Sequence, residues 1–217
     1  MATTSSSASS TLLPSYLECR LHLPGEDARG FVIDEAEAVR NVLEQARRGR
    51  VFQEPSLVIA GELEVHVFPG AAITRIDLIP DATLGAEFIT HDVGTEEGAI
   101  AREISKEEWR EQVEILRRGS ATRRETLGAE GDPIHAYGQL TLAGGERVYL
   151  DFSLTTPGVS EQRHYLRHVF ERPSLPLRRR GGGVSLLNPA RIVHAAFYPG
   201  AEPPATAWKG RAPDTPA

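Results

Sequence analysis

Cysteine is nearly absent from this chain, which holds only Cys19 among its 217 residues. A single cysteine excludes an intrachain disulfide, and the composition therefore favours a reducing compartment such as the cytoplasm. Long apolar runs are also absent, because no stretch approaches the ~18 residues that a membrane-spanning helix needs. Segment 1–10 is rich in Ala, Ser and Thr and has neither a basic leader nor an apolar core, so we expect neither a signal peptide nor a membrane partner.

The common sequence motifs of catalysis are missing as well. The chain contains no Gly-x-Ser-x-Gly, no P-loop and no dinucleotide-binding glycine pattern. Cys19 lies on the inward face of a predicted strand, which suits a core residue rather than a nucleophile. The sequence thus predicts a non-enzymatic protein without a cofactor, although a catalytic trio drawn from distant positions would leave no motif. The net charge of −6 argues against a dedicated nucleic-acid binder.

What the chain does contain is an internal repeat. Segment 51–57, VFQEPSL, returns about 119 residues later as segment 169–175, VFERPSL. The following residues recur in nearly the same register, so that Val65, Ala71, Ile73 and Pro80 match Val184, Ala190, Ile192 and Pro199. Such a repeat indicates that one folding unit is used twice. We therefore expect Phe52 and Phe170 to have similar surroundings.

Periodicity predicts the same elements in each unit, namely two strands, a helix and three more strands. In the first unit Leu17–Leu23 alternates as a half-buried strand, and a helix capped by Asp34 runs to about Arg48 and stops at Gly49. Leu63, Val65 and Val67 alternate with polar residues, the pattern of another half-buried strand. The predicted fold class is α+β and mainly β, with two pseudo-repeated small antiparallel barrels or open sheets, each with one helix, joined by a helical linker.

The predicted boundaries are repeat unit 1 over residues 15–82, a linker over 83–133 and repeat unit 2 over 134–200. Both ends, 1–14 and 201–217, are expected to be disordered. In the linker Ser105-Lys106-Glu107-Glu108 forms a capping box that predicts a helix over about 105–118. Trp109, Val113 and Leu116 share one face of that helix. This face either packs on the repeat units or binds a protein partner.

Two polar segments are candidates for ligand binding. Arg178, Arg179 and Arg180 precede three glycines, and three guanidinium groups on a flexible turn can neutralise phosphates. Asp151 and Ser153 lie on the outward face of the clearest predicted strand. A solvated hairpin tip and a solvated strand face are the simpler interpretations of both segments.

The Asp151-Phe152-Ser153 segment, downstream of Arg123-Arg124, resembles PilZ domains. Those are small barrels that bind cyclic di-GMP through an Arg-Arg-x-x-x-Arg arm and an Asp-x-Ser-x-x-Gly turn. This chain departs from both motifs, because Gly128 replaces the third arginine and Thr156 replaces the glycine. The resemblance implies a cyclic-dinucleotide or nucleic-acid binder as the alternative function.

A metal site has one weak candidate. Glu161, His164 and His168 would share a helix face at spacings that can place ligands around zinc. The segment does not follow His-Glu-x-x-His, so we interpret it as a solvated helix face and predict no metal.

The repeated unit also resembles a small bacterial domain of unknown function. The resemblance is carried in the second unit by Arg163, Tyr165, Leu166, Phe170, Leu175, Asn188 and Ile192, and more weakly in the first by Arg40, Leu43, Phe52, Leu57 and Ile73. Pro69 stands where the second unit has Asn188. The resemblance implies a small β-rich fold and a non-catalytic role. The function we expect is that of a binding or adaptor module with a protein partner.

Overall fold

A computed structural model describes residues 16–61, 63–81, 99–119, 134–154 and 170–198. These residues form an α+β fold that is mainly β, as the sequence predicts. The strands are β1 (Leu17–His22), β2 (Arg29–Ile33), β3 (Leu57–Ala60), β4 (Val65–Phe68), β5 (Arg75–Pro80), β6 (Ala99–Ile104), β7 (Ile134–Leu142), β8 (Arg147–Leu154), β9 (Leu175–Arg178), β10 (Val184–Leu187) and β11 (Ile192–Tyr198). The helices are α1 (Ala36–Arg48) and α2 (Lys106–Gly119), and short 3₁₀ turns cover Gly70–Ala72 and Pro189–Arg191.

Nine strands form one sheet in the order β11-β7-β8-β6-β9-β10-β5-β1-β2, and β3 and β4 form a separate hairpin. Neighbouring strands are antiparallel, except for a short parallel contact between β6 and β9. The first half of the chain, residues 16–81, supplies β5, β1 and β2 at one end of this sheet. The second half, residues 134–198, supplies β11, β7 and β8 at the other end.

The same three ladders occur in both halves. In the first half β1 pairs with β2 and β5, and β3 pairs with β4. In the second half β7 pairs with β8 and β11, and β9 pairs with β10. The register also corresponds, because Leu21 faces Ile76 in the first half and Leu140 faces Ala195 in the second, each 119 residues later.

The predicted pair of separate small barrels is not confirmed. Strand β10 of the second half pairs with β5 of the first, so the two halves share one sheet. The segment predicted as a helical linker also contributes β6, which lies between β8 and β9 and which the sequence analysis missed. The sequence of β6, AIAREI, has weak strand character, and the neighbours on both sides decide its conformation.

Local signals place both helices well. Gly49 takes a left-handed conformation with φ of 67° and ends α1, donating its N–H to the Ala46 carbonyl. Ser105 accepts a hydrogen bond from the Glu108 N–H at 3.1 Å, the first half of the predicted capping box. The predicted cap of α1 at Asp34 is wrong by one residue, because Glu35 occupies that position and makes no side-chain cap.

Two apolar clusters form the core, and β10 belongs to both. Val39, Leu43 and Ala46 on α1 pack over β1 and β5, where Val184 and Leu186 of β10 join them. The other cluster lies over β7 and β8 and includes Leu187 from β10. Alternate residues of a strand point to opposite faces, so one strand of the second half completes both cores.

The halves differ around the β3–β4 hairpin. Phe52 is 5% exposed whereas Phe170 is 45% exposed, so the expectation of similar surroundings is wrong. Val65 and Val67 are also exposed rather than buried, because the opposite face of β4 packs through Phe68 against Phe31 of β2. The hairpin β9–β10 has joined the main sheet, and the hairpin β3–β4 has not.

We predict that Gly183→Ala destabilises the protein by at least about 2 kcal/mol. Gly183 has φ of 79°, and a Cβ at this position would overlap the Leu78 carbonyl oxygen of β5. Gly181→Ala is the matched control, because no atom lies near its Cβ position and its φ is ordinary. Urea unfolding should therefore show a lower midpoint for the first variant only, and equal midpoints would contradict this account of the β10–β5 junction.

Candidate functional site

The most unusual chemistry of the described residues lies on β5. Arg75 and Asp77 are two residues apart on this strand, so their side chains share one face, and both are buried. Burying a charge costs free energy unless the charge is paired and hydrogen-bonded. Their neighbours must therefore supply partners for every polar atom.

The guanidinium group of Arg75 contacts three carboxylates. Its Nε donates to Asp77 Oδ1 at 2.6 Å, and its two terminal nitrogens donate to Glu103 of β6 at 3.1 and 2.9 Å. One of these nitrogens also donates to Glu146, in the turn between β7 and β8, at 3.2 Å. Burial acts to lower the pKa of Arg75, but the charges of Asp77 and Glu103 outweigh burial and raise the pKa above its ordinary value.

Asp77 is held from several sides. Ser185 of β10 donates to its Oδ1 at 2.7 Å, and His22 Nε2 lies 3.2 Å from its Oδ2. Arg179 Nε lies 3.3 Å from the same Oδ2 as an ion pair. Burial acts to raise the pKa of Asp77, but the hydrogen bond from His22, the charge of Arg75, and the hydrogen bonds from Arg75 and Ser185 outweigh burial and hold that pKa well below its usual range.

Together these side chains form one charged cluster, which joins β1, β5, β6 and β10 and the turns after β7 and β9. We use this name for His22, Arg75, Asp77, Glu103, Glu146, Arg179 and Ser185. Its members come from both halves of the chain and from the segment between them. The cluster therefore fixes the position at which the two halves meet.

The cluster contains Ser, His and Asp, but not in the order of a nucleophilic triad. In such a triad the imidazole lies between the hydroxyl and the carboxylate, so that it can take the hydroxyl proton. Here Asp77 lies between Ser185 and His22, and Ser185 is fully buried. This geometry serves packing and register, and it offers no path for proton transfer from serine to histidine.

An apolar cavity of about 340 Å³ lies between α1, β3 and the sheet. Its lining is mostly aliphatic, with Asn41 and Gln45 as polar groups and the Cys19 thiol on the sheet side. Burial, and then the charge of Asp77, raise the pKa of Cys19 to about 12. The thiol is therefore protonated at neutral pH, and it is a poor nucleophile and a poor metal ligand.

The predicted ligand-binding residues lie on β8, on β9 and in the loop that follows β9. Arg178 ends β9 beside Arg102 of β6, and Arg102 donates to Asp151 Oδ2 at 3.0 Å. Asp151 and Arg178 thus flank Arg102 on adjacent strands. Ser153 lies on β8, two residues beyond Asp151.

We call Arg178, Arg179 and Arg180 the basic loop, and these three arginines have different environments. Arg179 turns back towards the sheet, where it contacts Asp77 and donates to the Gly182 carbonyl at 3.2 Å. Arg178 is half-buried and Arg180 is exposed at the hairpin tip. The structure therefore does not present the loop as three solvent-facing guanidinium groups.

The predicted partner-binding face of α2 lies against the sheet. The Trp109 ring packs on Tyr149 of β8 and Tyr198 of β11, with centroids 5.3 and 5.7 Å apart. Val113 is buried and Leu116 is half-buried. A partner that used this face would have to displace these contacts.

A different apolar surface faces solvent. Val58, Val65 and Val67 are 55%, 64% and 60% exposed, and Val58 lies opposite Val67 across the β3–β4 ladder. We name these three valines, together with Leu63 in the turn, the hairpin face. Scattered apolar residues are common on protein surfaces, whereas these valines lie next to one another on one face of the hairpin.

Sequence reasoning missed the charged cluster. A usable signal was present in segment 73–79, ITRIDLI, where two opposite charges interrupt an apolar run at i and i+2. That spacing puts both charges on one face of a strand whose other face is apolar. The remaining members, such as Glu103 and Glu146, lie far away in the sequence and give no local signal.

Several predicted features lie outside the described residues. They are the Arg123-Arg124 pair with Gly128 and Thr156, the Glu161, His164 and His168 set, and both chain ends. Within the described residues, no three His, Cys, Asp or Glu side chains are grouped so as to hold a metal ion. The helices of the described part are also too short or too polar to cross a membrane.

Comparisons with known proteins give no match: no family model, curated protein or solved structure is similar to this chain. Geometry and physical chemistry therefore carry the functional argument.

We predict that Asp77→Asn costs about 3–5 kcal/mol of stability at pH 7, because it leaves the buried Arg75 charge without its nearest partner. Glu146→Gln is the matched control. It also removes an Arg75 partner, but the Glu146 side chain is 37% exposed, and its loss should cost less than about 1 kcal/mol. Equal losses in urea unfolding would contradict the assigned role of Asp77.

We also predict that the contribution of Asp77 to the free energy of unfolding depends on pH. The pKa of Asp77 is lower in the folded state than its unfolded value of about 3.9, so its stabilising contribution is complete above that value. The contribution is lost as the pH falls from about 4 towards the folded pKa. The stability difference between the wild type and Asp77→Asn should therefore stay constant from pH 7 to 5 and narrow below pH 4. A difference that narrows between pH 7 and 5 would indicate that another group titrates.

Proposed function

We propose that this protein is a non-enzymatic binding or adaptor module that acts through protein contacts. The supporting observation is the hairpin face, where three exposed valines lie side by side on a two-stranded sheet. Apolar surface of this kind gains free energy when a partner covers it, at roughly 25 cal/mol per Å². A reducing compartment such as the cytoplasm suits the buried thiol of Cys19.

The edge of β4 adds directional contacts to this surface. Gly61 N–H donates to the Glu64 carbonyl at 2.8 Å and closes the hairpin. Bonded and non-bonded pairs alternate along an antiparallel ladder, so the peptide groups of Val65 and Val67 point away from β3. They can hydrogen-bond a strand of a partner while their side chains pack on it.

The proposal extends to the origin of the fold. The repeated sequence and the three ladders in matching register support two copies of one small unit, over residues 15–82 and 134–200. The second unit has its hairpin within the sheet, and the first has its hairpin outside. The first unit, whose hairpin lies outside the nine-stranded sheet, therefore exposes the apolar surface that a partner can cover.

Anion or cyclic-dinucleotide binding has less support. Arg179 is engaged by Asp77, and Asp151 accepts a hydrogen bond from Arg102. An anion that contacts Arg179 would have to compete with the existing ion pair to Asp77. The exposed Arg180 is the loop residue that tests this alternative with the least disturbance to the fold.

The test is affinity capture from the native host, with proteins and small nucleotides analysed in the same eluate. We predict that Val67→Glu lowers recovery of a protein partner at least about tenfold, which corresponds to about 1.4 kcal/mol of binding free energy. The matched control is Val32→Glu on β2, because Val32 is 67% exposed and lies outside the hairpin face. Arg180→Ala tests the basic loop.

Recovery by Val32→Glu and Arg180→Ala should equal that of the wild type. Recovery that Val67→Glu leaves unchanged would exclude the hairpin face as the contact. A nucleotide in the eluate that disappears with Arg180→Ala would support the alternative function instead.

A further inference from the structure

Within the described residues, β4 and β11 each have one edge without a ladder partner at a place where the other half of the chain has one. Among the described strands β4 pairs only with β3, and β11 pairs only with β7. Their counterparts in the other half are β10 and β5, and these two strands pair with each other. The described residues thus show the β10–β5 ladder and no equivalent ladder between β4 and β11.

The example defines a register. In the β10–β5 ladder Val184 faces Leu78 and Leu186 faces Ile76. The corresponding residues of β4 lie 119 positions earlier, and those of β11 lie 119 positions later. The equivalent ladder therefore places Val65 opposite Phe197 and Val67 opposite Ala195, with His66 opposite Ala196.

Burial differs between the halves at these two surfaces. Val184 and Leu186 are buried in the core beneath α1, whereas their counterparts Val65 and Val67 are exposed. On β11, a groove of about 330 Å³ is lined by Phe170, Ile192, Val193, His194, Ala195 and Phe197. Phe170 and Val193 are exposed at this groove, whereas Phe52, the counterpart of Phe170, is buried.

We propose that β4 of one molecule pairs antiparallel with β11 of a second copy of this chain, in that register. The contact extends the nine-stranded sheet beyond β11 by the β3–β4 hairpin of the other molecule. Each copy has one β4 and one β11, and the proposal places the contact in a closed two-fold dimer, where it is made twice, rather than in an open chain of copies. The dimer covers the hairpin face and the Phe170 groove together.

Within the described residues the chain's own β4 does not pair with its own β11, although Arg191, directly before β11, donates to the Ala71 carbonyl at 2.6 Å, three residues after β4. Phe31 on β2 contacts His66 and Phe68, with ring centroids 5.0 and 6.0 Å apart, and β2 is at the opposite end of the sheet from β11. A second copy can supply β4 while the hairpin of each copy keeps these contacts with its own β2. The register also places no two like charges opposite each other, which would be destabilising.

This inference rests on the proposed use of the hairpin face in protein contacts and names a second copy as the partner. Sedimentation of the full chain over a range of concentrations should show a dimer. Val67→Glu should raise the dimer dissociation constant at least about tenfold, and Val32→Glu should leave it unchanged. A wild type that stays monomeric, or a dimer that Val32→Glu disrupts and Val67→Glu does not, would overturn the proposal.

Cysteine cross-linking tests the register. One tagged chain carries Val67→Cys and a differently tagged chain carries Ala195→Cys, and mild oxidation should join them by a mixed disulfide. The control pairs Val67→Cys with Ala196→Cys, which should not join because neighbouring residues of a strand point to opposite faces. Equal cross-linking of both pairs, or none, would overturn the register.

A chain that carries both Val67→Cys and Ala195→Cys distinguishes the two sources of β4. The proposal predicts a disulfide between chains, and a disulfide within one chain would overturn it. A different result would separate the dimer from the proposed function in protein contacts. If the protein is monomeric and Val67→Glu still loses a different captured protein, the hairpin face binds that protein and the dimer is excluded.

Discussion

The buried ion pair of Arg75 and Asp77 is the constraint on which the arrangement of the two halves depends. Each charge is unfavourable in the interior unless partners surround it, and the partners come from strands distant in sequence. Ser185 of β10 and Glu103 of β6 reach the pair only if both strands take their observed places in the sheet. The interaction thus holds the second half of the chain against the first.

The shared sheet has a consequence for the surface. Once β10 is paired with β5, its residues Val184 and Leu186 complete the core beneath α1. The corresponding hairpin of the first half stays outside the sheet and keeps its valines in solvent. The difference between the two hairpins therefore arises from their neighbours, and among the described strands it leaves the hairpin face exposed and one edge of β4 without a ladder partner.

The buried charges of Arg75 and Asp77 have partners within the chain, whereas the apolar side chains of the hairpin face are exposed to solvent. Within the charged cluster, Asp77 and Arg75 are both bound by their own neighbours. Arg179 of the basic loop is also drawn into it. The hairpin face has the opposite character, because its side chains gain free energy only when another surface covers them.

The sequence by itself determined the local features: the mainly β composition of elements, the end of α1 at Gly49 and the cap of α2 at Ser105. These depend on periodicity and on caps within a few residues, which a sequence displays directly. Only the tertiary structure decided that β6 is a strand, that Val65 and Val67 face solvent, and that Asp77 meets Ser185. Alternation along a strand shows that it has two faces, but the strand's neighbours decide which face is covered, and for β5 one of those neighbours, β10, comes from more than a hundred residues away.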